Sequence, residues 1–204
     1  MRILDLGCGS GRDLSDWGVT PFDDVTGLDI NGRGLEQARL RFPNRKYFHG
    51  AGESIPFPDA SFDRLLCLLA LPYMNIPKAL EEIHRVLVPG GSFAASLHPP
   101  AFSWAELRHN AFPRPIPTLF RSYVLGNGIW FHCTGRTLGF VKGRTESFQT
   151  ERGTQRALVR AGFADVGFRR VLRPAGEIFI VEARATIRLS FMGAGTVPRK
   201  AIAS

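Results

Sequence analysis

Three glycines at alternate positions, Gly7, Gly9 and Gly11, follow the apolar run Ile3-Leu-Asp-Leu6, and a carboxylate, Asp29, stands 24 residues after Asp5. Glycines so spaced let a chain turn sharply off a strand end and bring its backbone close to a ligand without Cβ interference. A carboxylate closing the next strand can take both hydroxyls of a ribose. Together these residues point to an adenosine-containing cofactor. The dinucleotide fingerprint would want its third glycine at position 12, where Arg12 stands, so a nicotinamide-dependent oxidoreductase is disfavoured.

The elements that must position these groups follow from hydrophobic spacing. Arg2 to Leu6 reads as a strand, the glycine segment as a turn, and Arg12 to Trp17 as the start of a helix. A second strand spans Asp24 to Ile30. Asn31 then caps a helix running to about Phe42, with Leu35, Ala38 and Leu40 as inward candidates. Lys46 to His49 is a short third strand, and Phe62 to Leu71 is a continuous apolar run suited to a strand buried on both faces. Ile76 to Val88 sets Leu80, Ile83, His84 and Leu87 at helical intervals, and Pro89-Gly-Gly91 stops that helix before the strand Ser92 to Leu97. Strands alternating with helices predict an α/β fold, a parallel, doubly wound sheet with helices on both faces.

From His98 to about Gly143 the prolines at 99, 100, 113, 115 and 117 punctuate an aromatic-rich stretch. It reads as an irregular insertion, about 98–145, that packs as a lid or wall. A helix from about Glu151 to Ala161 and two strands, Val166 to Leu172 and Glu177 to Ala183, complete a domain of residues 1–184. The short connection from Arg173 to Gly176 predicts that these last strands are antiparallel neighbours. Residues 185–204 read as a basic tail.

At 204 residues the chain suits one domain with a core of its own. An apolar fraction of 44% without any run approaching about 18 apolar residues argues against a transmembrane helix. Met1 leads almost directly into the strand, without the regions of a secretory signal, so a cytoplasmic location is expected. Cys8, Cys67 and Cys133 have neither disulfide nor zinc-site spacing, and no metal-ligand constellation is visible. The net charge of +8 is dispersed, with no stripe of interleaved aromatics, and reads as a solvated basic surface ahead of a nucleic-acid footprint.

Ile3-Leu-Asp-Leu-Gly-Cys-Gly-Ser-Gly11 resembles the first motif of class I S-adenosylmethionine-dependent methyltransferases. Gly27-Leu-Asp-Ile30 is similar to the family's acidic second motif. Glu53-Ser-Ile-Pro-Phe-Pro-Asp-Ala-Ser-Phe-Asp63 is similar to the segment before the fourth strand in the small-molecule, type 11 branch. Glu82-Ile-His-Arg-Val-Leu-Val-Pro-Gly-Gly91 is similar to the helix and turn before the fifth strand. The likeness is close over residues 1 to about 97, while the final helix and hairpin match only in layout. It implies a Rossmann-like, mostly parallel seven-stranded sheet with an antiparallel last strand, S-adenosylmethionine as cofactor, and a small molecule as methyl acceptor.

Carried over residue by residue, the resemblance puts Asp5 near the methionine amino group and the backbone of Gly7, Gly9 and Gly11 at the methionine moiety. Asp29 would hold the ribose, Ile30 would lie against the adenine, and the Leu68 carbonyl would face the methionine ammonium. An aspartate often stands in the family where this chain has Ala51, so only backbone contacts from Ala51 and Gly52 are left to read the adenine edge. The family usually has one or two helices before the first strand, which this sequence lacks. This form is therefore expected to be less stable and to bind cofactor more weakly than a longer one.

Methyl transfer asks little of side chains, because the cofactor's sulfonium already activates the methyl group and the protein mainly aligns the acceptor and excludes water. A base, where used, belongs at the carboxyl ends of the strands, and His98, just after the fifth strand, is the first candidate. His132 and Tyr73 follow it. His84 among Leu80, Ile83 and Leu87 reads as a core histidine, and Asp63 as a turn-stabilising carboxylate. Trp104, Tyr123, Trp130 and Phe131 suit either an acceptor pocket or the insertion's own core. Two alternatives stand beside this reading. One is nucleic-acid methylation, whose amino-methylating enzymes carry an (Asp/Asn)-Pro-Pro-(Tyr/Phe) motif where this chain has Leu71-Pro-Tyr73. The other is a non-catalytic S-adenosylmethionine-binding protein, favoured by Ala51 and the missing front but opposed by the intact glycines and Asp29.

Overall fold

The computed structural model describes residues 1–97, 115–139, 146–173 and 176–186. A seven-stranded sheet is built from β1 (Arg2–Leu6), β2 (Asp24–Asp29), β3 (Lys46–His49), β4 (Phe62–Leu68), β5 (Leu87–Leu97), β6 (Phe163–Arg173) and β7 (Gly176–Ala185), in the order β3-β2-β1-β4-β5-β7-β6. The β1–β2, β1–β4, β2–β3 and β4–β5 pairs are parallel, and β7 runs antiparallel to both β5 and β6. This is the mostly parallel sheet with an antiparallel last strand. The order reverses between β1 and β4, and such a switch leaves a crevice at the strands' carboxyl ends.

Helix α1 (Gly32–Arg41) starts as expected, with the Asn31 side chain accepting from Gly34 N–H. Its inward face is Leu35 and Ala38, whereas Leu40 is 85% exposed, a correction to the expected trio. Helix α2 (Ile76–Val86) buries Ile76, Ala79, Leu80, Ile83 and Val86 at helical spacing, at about 1.5–3 kcal/mol for each large side chain. His84 lies in the same helix, buried edge-on against Phe163, so the core reading holds.

Several expected elements differ. The helix expected over Ile76 to Val88 ends at Val86, because Leu87 is already extended and pairs with Phe62, so β5 starts at Leu87 rather than Ser92 and runs through Pro89-Gly-Gly91 with a register shift. The last two strands, expected over Val166 to Leu172 and Glu177 to Ala183, run longer at both ends, where they pair with each other. The helix from Arg12 is replaced by a single 3-10 turn, Ser15–Trp17, ended by Gly18 at φ 71°. The Asp13 side chain already takes the Ser15 N–H, and only six residues separate Gly11 from Gly18, too few for an α-helix with both ends satisfied. The fourth strand stops at Leu68 rather than Leu71, because Leu69 turns to φ 64° and Leu71–Tyr73 winds into a second 3-10 turn. Within the stretch expected to be irregular, Pro115–Thr134 forms a 20-residue helix, α3. Pro115 and Pro117 fall in its first turn, where a missing N–H breaks no intrahelical bond, so they open the helix instead of interrupting it. Val124, Asn127, Gly128 and Phe131 make its buried stripe against α4 (Glu151–Ala161) and residues 147–149.

Candidate functional site

The crevice at the sheet's switch point holds a cavity of about 610 Å³, within the roughly 300–1,000 Å³ range of small-molecule sites. One wall comes from the ends of β1 and β2, with Leu6, Gly7, Leu28, Asp29 and Ile30. A second is the loop after β3, Gly50 to Glu53. The third is the turn after β4 and the start of α2, with Ala70, Tyr73, Met74, Asn75 and Lys78.

Each of the three glycines has a different reason to be one. Gly7 (φ 73°) sits so close to the post-β4 turn that a Cβ would lie 2.1 Å from the Ala70 Cβ. Gly9 (φ 54°) has open space where its Cβ would be, and its N–H is donated to Asp29 Oδ2 at 2.7 Å. Gly11 packs against Ala38 and Phe42 of the α1 region. The loop is tied from behind by Arg41 Nη1 to the Gly11 carbonyl (3.1 Å) and Arg45 Nη1 to the Arg12 carbonyl (2.8 Å).

Asp29 closes β2 with both oxygens oriented. Oδ2 accepts from Gly9 N–H, and Oδ1 accepts from Asn31 N–H at 2.7 Å. Each oxygen keeps a lone pair for a further donor, which matches the paired hydroxyls of a ribose. Ile30 beside it is 71% exposed, an apolar patch on the cavity rim suited to a flat ring, and its carbonyl is held 2.9 Å from His49 Nε2.

Asp5 does not line the cavity. It is 1% exposed beneath the glycine loop, and Oδ1 has no hydrogen-bond partner. Burial pushes its pKa up to about 6, against the pull of the Arg12 and Arg45 guanidiniums. The same burial pushes the neighbouring Cys8 and Cys67 thiols up to about 12, which leaves them inert.

The loop after β3 is latched to α2. Arg85 donates from Nη1 to the Phe57 carbonyl (2.8 Å), from Nη2 to the Ile55 carbonyl (2.9 Å), and from Nε to Glu82 Oε1 (2.8 Å). Glu82 Oε2 in turn accepts from Ile55 N–H at 2.9 Å. This network, partly shielded from water, fixes where Ala51 to Glu53 stand.

Of the residues expected to hold a cofactor, Gly7, Asp29, Ile30, Ala51 and Gly52 line the cavity, while Asp5, Gly9, Gly11 and Leu68 do not, although Gly9 is joined to the lining through its bond to Asp29. Leu68 is buried in a small cluster with Ile3, Leu14 and Leu66. His98 and Trp104 lie outside the described residues. Tyr73, a secondary base candidate, lines the cavity and is 55% exposed. His132 instead bonds Thr150 Oγ1 through Nδ1 at 2.9 Å. Asp63 pairs with Arg2, whose guanidinium holds its carboxyl below the usual range. Phe131 is core, Trp130 is 44% exposed, and the Tyr123 hydroxyl donates to the Leu138 carbonyl. Sequence reasoning gave no role to Glu53, Met74, Asn75 or Lys78. The last three begin the element after β4, where the rule that ligands sit at strand carboxyl ends would have found them.

Residues 4–95 match the family model described as a methyltransferase domain. An uncharacterized methyltransferase of Synechocystis sp. is 36% identical over 107 residues, covering 49% of this chain and 49% of the relative. The malonyl-[acyl-carrier protein] O-methyltransferase of Erwinia pyrifoliae is 35% identical over 118 residues, covering 54% of this chain and 45% of the relative. The chain thus spans about half the length of these curated relatives. A SAM-dependent methyltransferase structure from Methanosarcina mazei superposes with a TM-score of 0.61 at 21% identity, over 92% of this chain and 93% of that one, which is a likeness of fold. Among the described residues no helix is long and apolar enough to cross a membrane.

Proposed function

We propose that this chain, whose residues 4–95 carry the methyltransferase-domain match, binds S-adenosylmethionine in the switch-point cavity and transfers its methyl group to a small molecule. The observation that carries this reading is Asp29, a carboxylate oriented by Gly9 and Asn31 on the wall of a cavity rimmed by an exposed isoleucine. When bound, the cofactor supplies a methyl group already activated by its sulfonium.

The chain's own residues hold and orient. Asp29 would take the ribose hydroxyls and Ile30 the flat face of the adenine. The open space at Gly9 suits the amino-acid end of the cofactor, with the buried Asp5 carboxyl supplying negative charge for its ammonium. A dinucleotide is a poorer fit, because a pyrophosphate asks for a helix N-terminus after the glycine loop, and only the 3-10 turn Ser15–Trp17 follows it here. Tyr73 and Lys78, on the α2 side, are the polar groups proposed to meet the acceptor. His98, next in sequence after the last residue of β5, is the candidate base. The type 11 likeness supports a small-molecule acceptor, and a cytoplasmic location accords with it.

The test is calorimetric titration with S-adenosylmethionine and S-adenosylhomocysteine, with NAD as control and Asp29→Ala as the site variant. Saturable binding of both sulfur ligands, absent for NAD and lost in Asp29→Ala, is expected. Binding of NAD, or binding indifferent to Asp29, would overturn the reading.

A further inference from the structure

We infer that Glu53 reads the adenine amine in this cavity, an assignment that rests on the cofactor reading above. An exocyclic amine donates hydrogen bonds and needs an acceptor at the ring's edge. Ala51 offers none from its side chain. Two residues on, Glu53 lines the same cavity with a half-used carboxylate. Oε1 accepts the Asn75 backbone N–H at 2.7 Å, and Oε2 accepts nothing from the described residues.

That single bond orients the carboxylate and leaves one charged acceptor on the wall that carries Ala51 and Gly52. The loop cannot easily retreat, because Gly52 packs so tightly on Met74 that a Cβ would lie 2.5 Å from its Sδ. The cavity's other charged groups do not compete for the role. Asp29 is oriented by Gly9 and Asn31, and the Lys78 ammonium has no lone pair to offer an amine. A carboxylate at this place accepts from a 6-amino purine and repels a 6-oxo purine, so the residue sets base specificity as well as affinity.

The experiment compares S-adenosylhomocysteine with S-inosylhomocysteine, which carries an oxygen in place of the amine, by calorimetry on three proteins: wild type, Glu53→Gln, and Glu53→Gln combined with Ala51→Asp. Glutamine can still accept from Asn75, so the bond to α2 is kept. Wild type is expected to prefer the adenosyl ligand by about tenfold to a hundredfold, the range for a hydrogen bond to a charged group. Glu53→Gln, whose amide can donate to the oxo group, should narrow the preference to within about threefold, and Ala51→Asp should restore it. Because each preference is a ratio measured on one protein, a general loss of fold quality cancels. An unchanged ratio in Glu53→Gln, with S-adenosylhomocysteine still bound, overturns the Glu53 assignment and leaves the cofactor reading standing. Failure of wild type to bind either ligand removes the cofactor reading and this assignment with it.

Discussion

Asp5 makes the protein's stability depend on pH in a direction that can be worked out in advance. In the folded chain its carboxyl titrates near 6, because burial beneath the glycine loop disfavours the anion, against 3.8 for an unburied aspartate. Between those values the folded state holds a proton that the unfolded state has released. The Asp5 contribution to stability is therefore fully present below about pH 4, is lost as the pH rises through about 4 to 6, and stays lost above that. The gap of about 2 pH units, at 1.36 kcal/mol each, amounts to about 3 kcal/mol. Asp5→Asn removes the titration but keeps the shape. Urea unfolding of both proteins between about pH 4 and pH 8 gives the difference in their pH dependences, and any constant penalty of the amide cancels. The variant is expected to gain about 3 kcal/mol on wild type across that window. Parallel pH profiles, or a gain of the opposite sign, would refute the argument that Asp5 is buried as a strained anion.

Other outcomes follow from the same geometry. If the cofactor's ammonium draws a proton off Asp5, the affinity for S-adenosylhomocysteine should weaken by up to about tenfold for each pH unit below 6, and Asp5→Asn should flatten that slope in calorimetric titrations. Asp29→Ala should weaken S-adenosylhomocysteine binding by about a hundredfold or more, since two hydrogen bonds to a charged acceptor are lost; a change under about threefold would place the ribose elsewhere. Arg85→Ala should cost about 2–4 kcal/mol in urea unfolding, because it removes the guanidinium donor from the Ile55 and Phe57 carbonyls and from the Glu82 carboxylate together. Gly7→Ala should destabilise the fold by about 2–4 kcal/mol, combining a positive φ with overlap on Ala70. Gly9→Ala, with the φ cost alone, should lose only about 1–2 kcal/mol yet impair ligand binding more per unit of lost stability.

The sequence alone determined what depends on residues close together in the chain. Strand edges at Lys46 and His49, the Asn31 cap, the Glu151–Ala161 helix, and the turn at Gly7 to Gly11 all express local rotational preference or apolar period. Asp29 was legible for the same reason, as a carboxylate closing a strand after a glycine turn. The tertiary structure alone decided what depends on distances between segments. Asp5 reads as an ordinary acid until the loop and strands close over it and exclude the water that would stabilise its charge. Glu53 is one more exposed-looking glutamate until Asn75, 22 residues away, takes one of its oxygens. Pro115 and Pro117 looked like breakers because their effect depends on whether they fall inside a helix or at its start. Which of the two applies depends on the rest of the helix, which is held by Val124 and Phe131 buried on the face turned to α4, a contact between segments that the local sequence does not display.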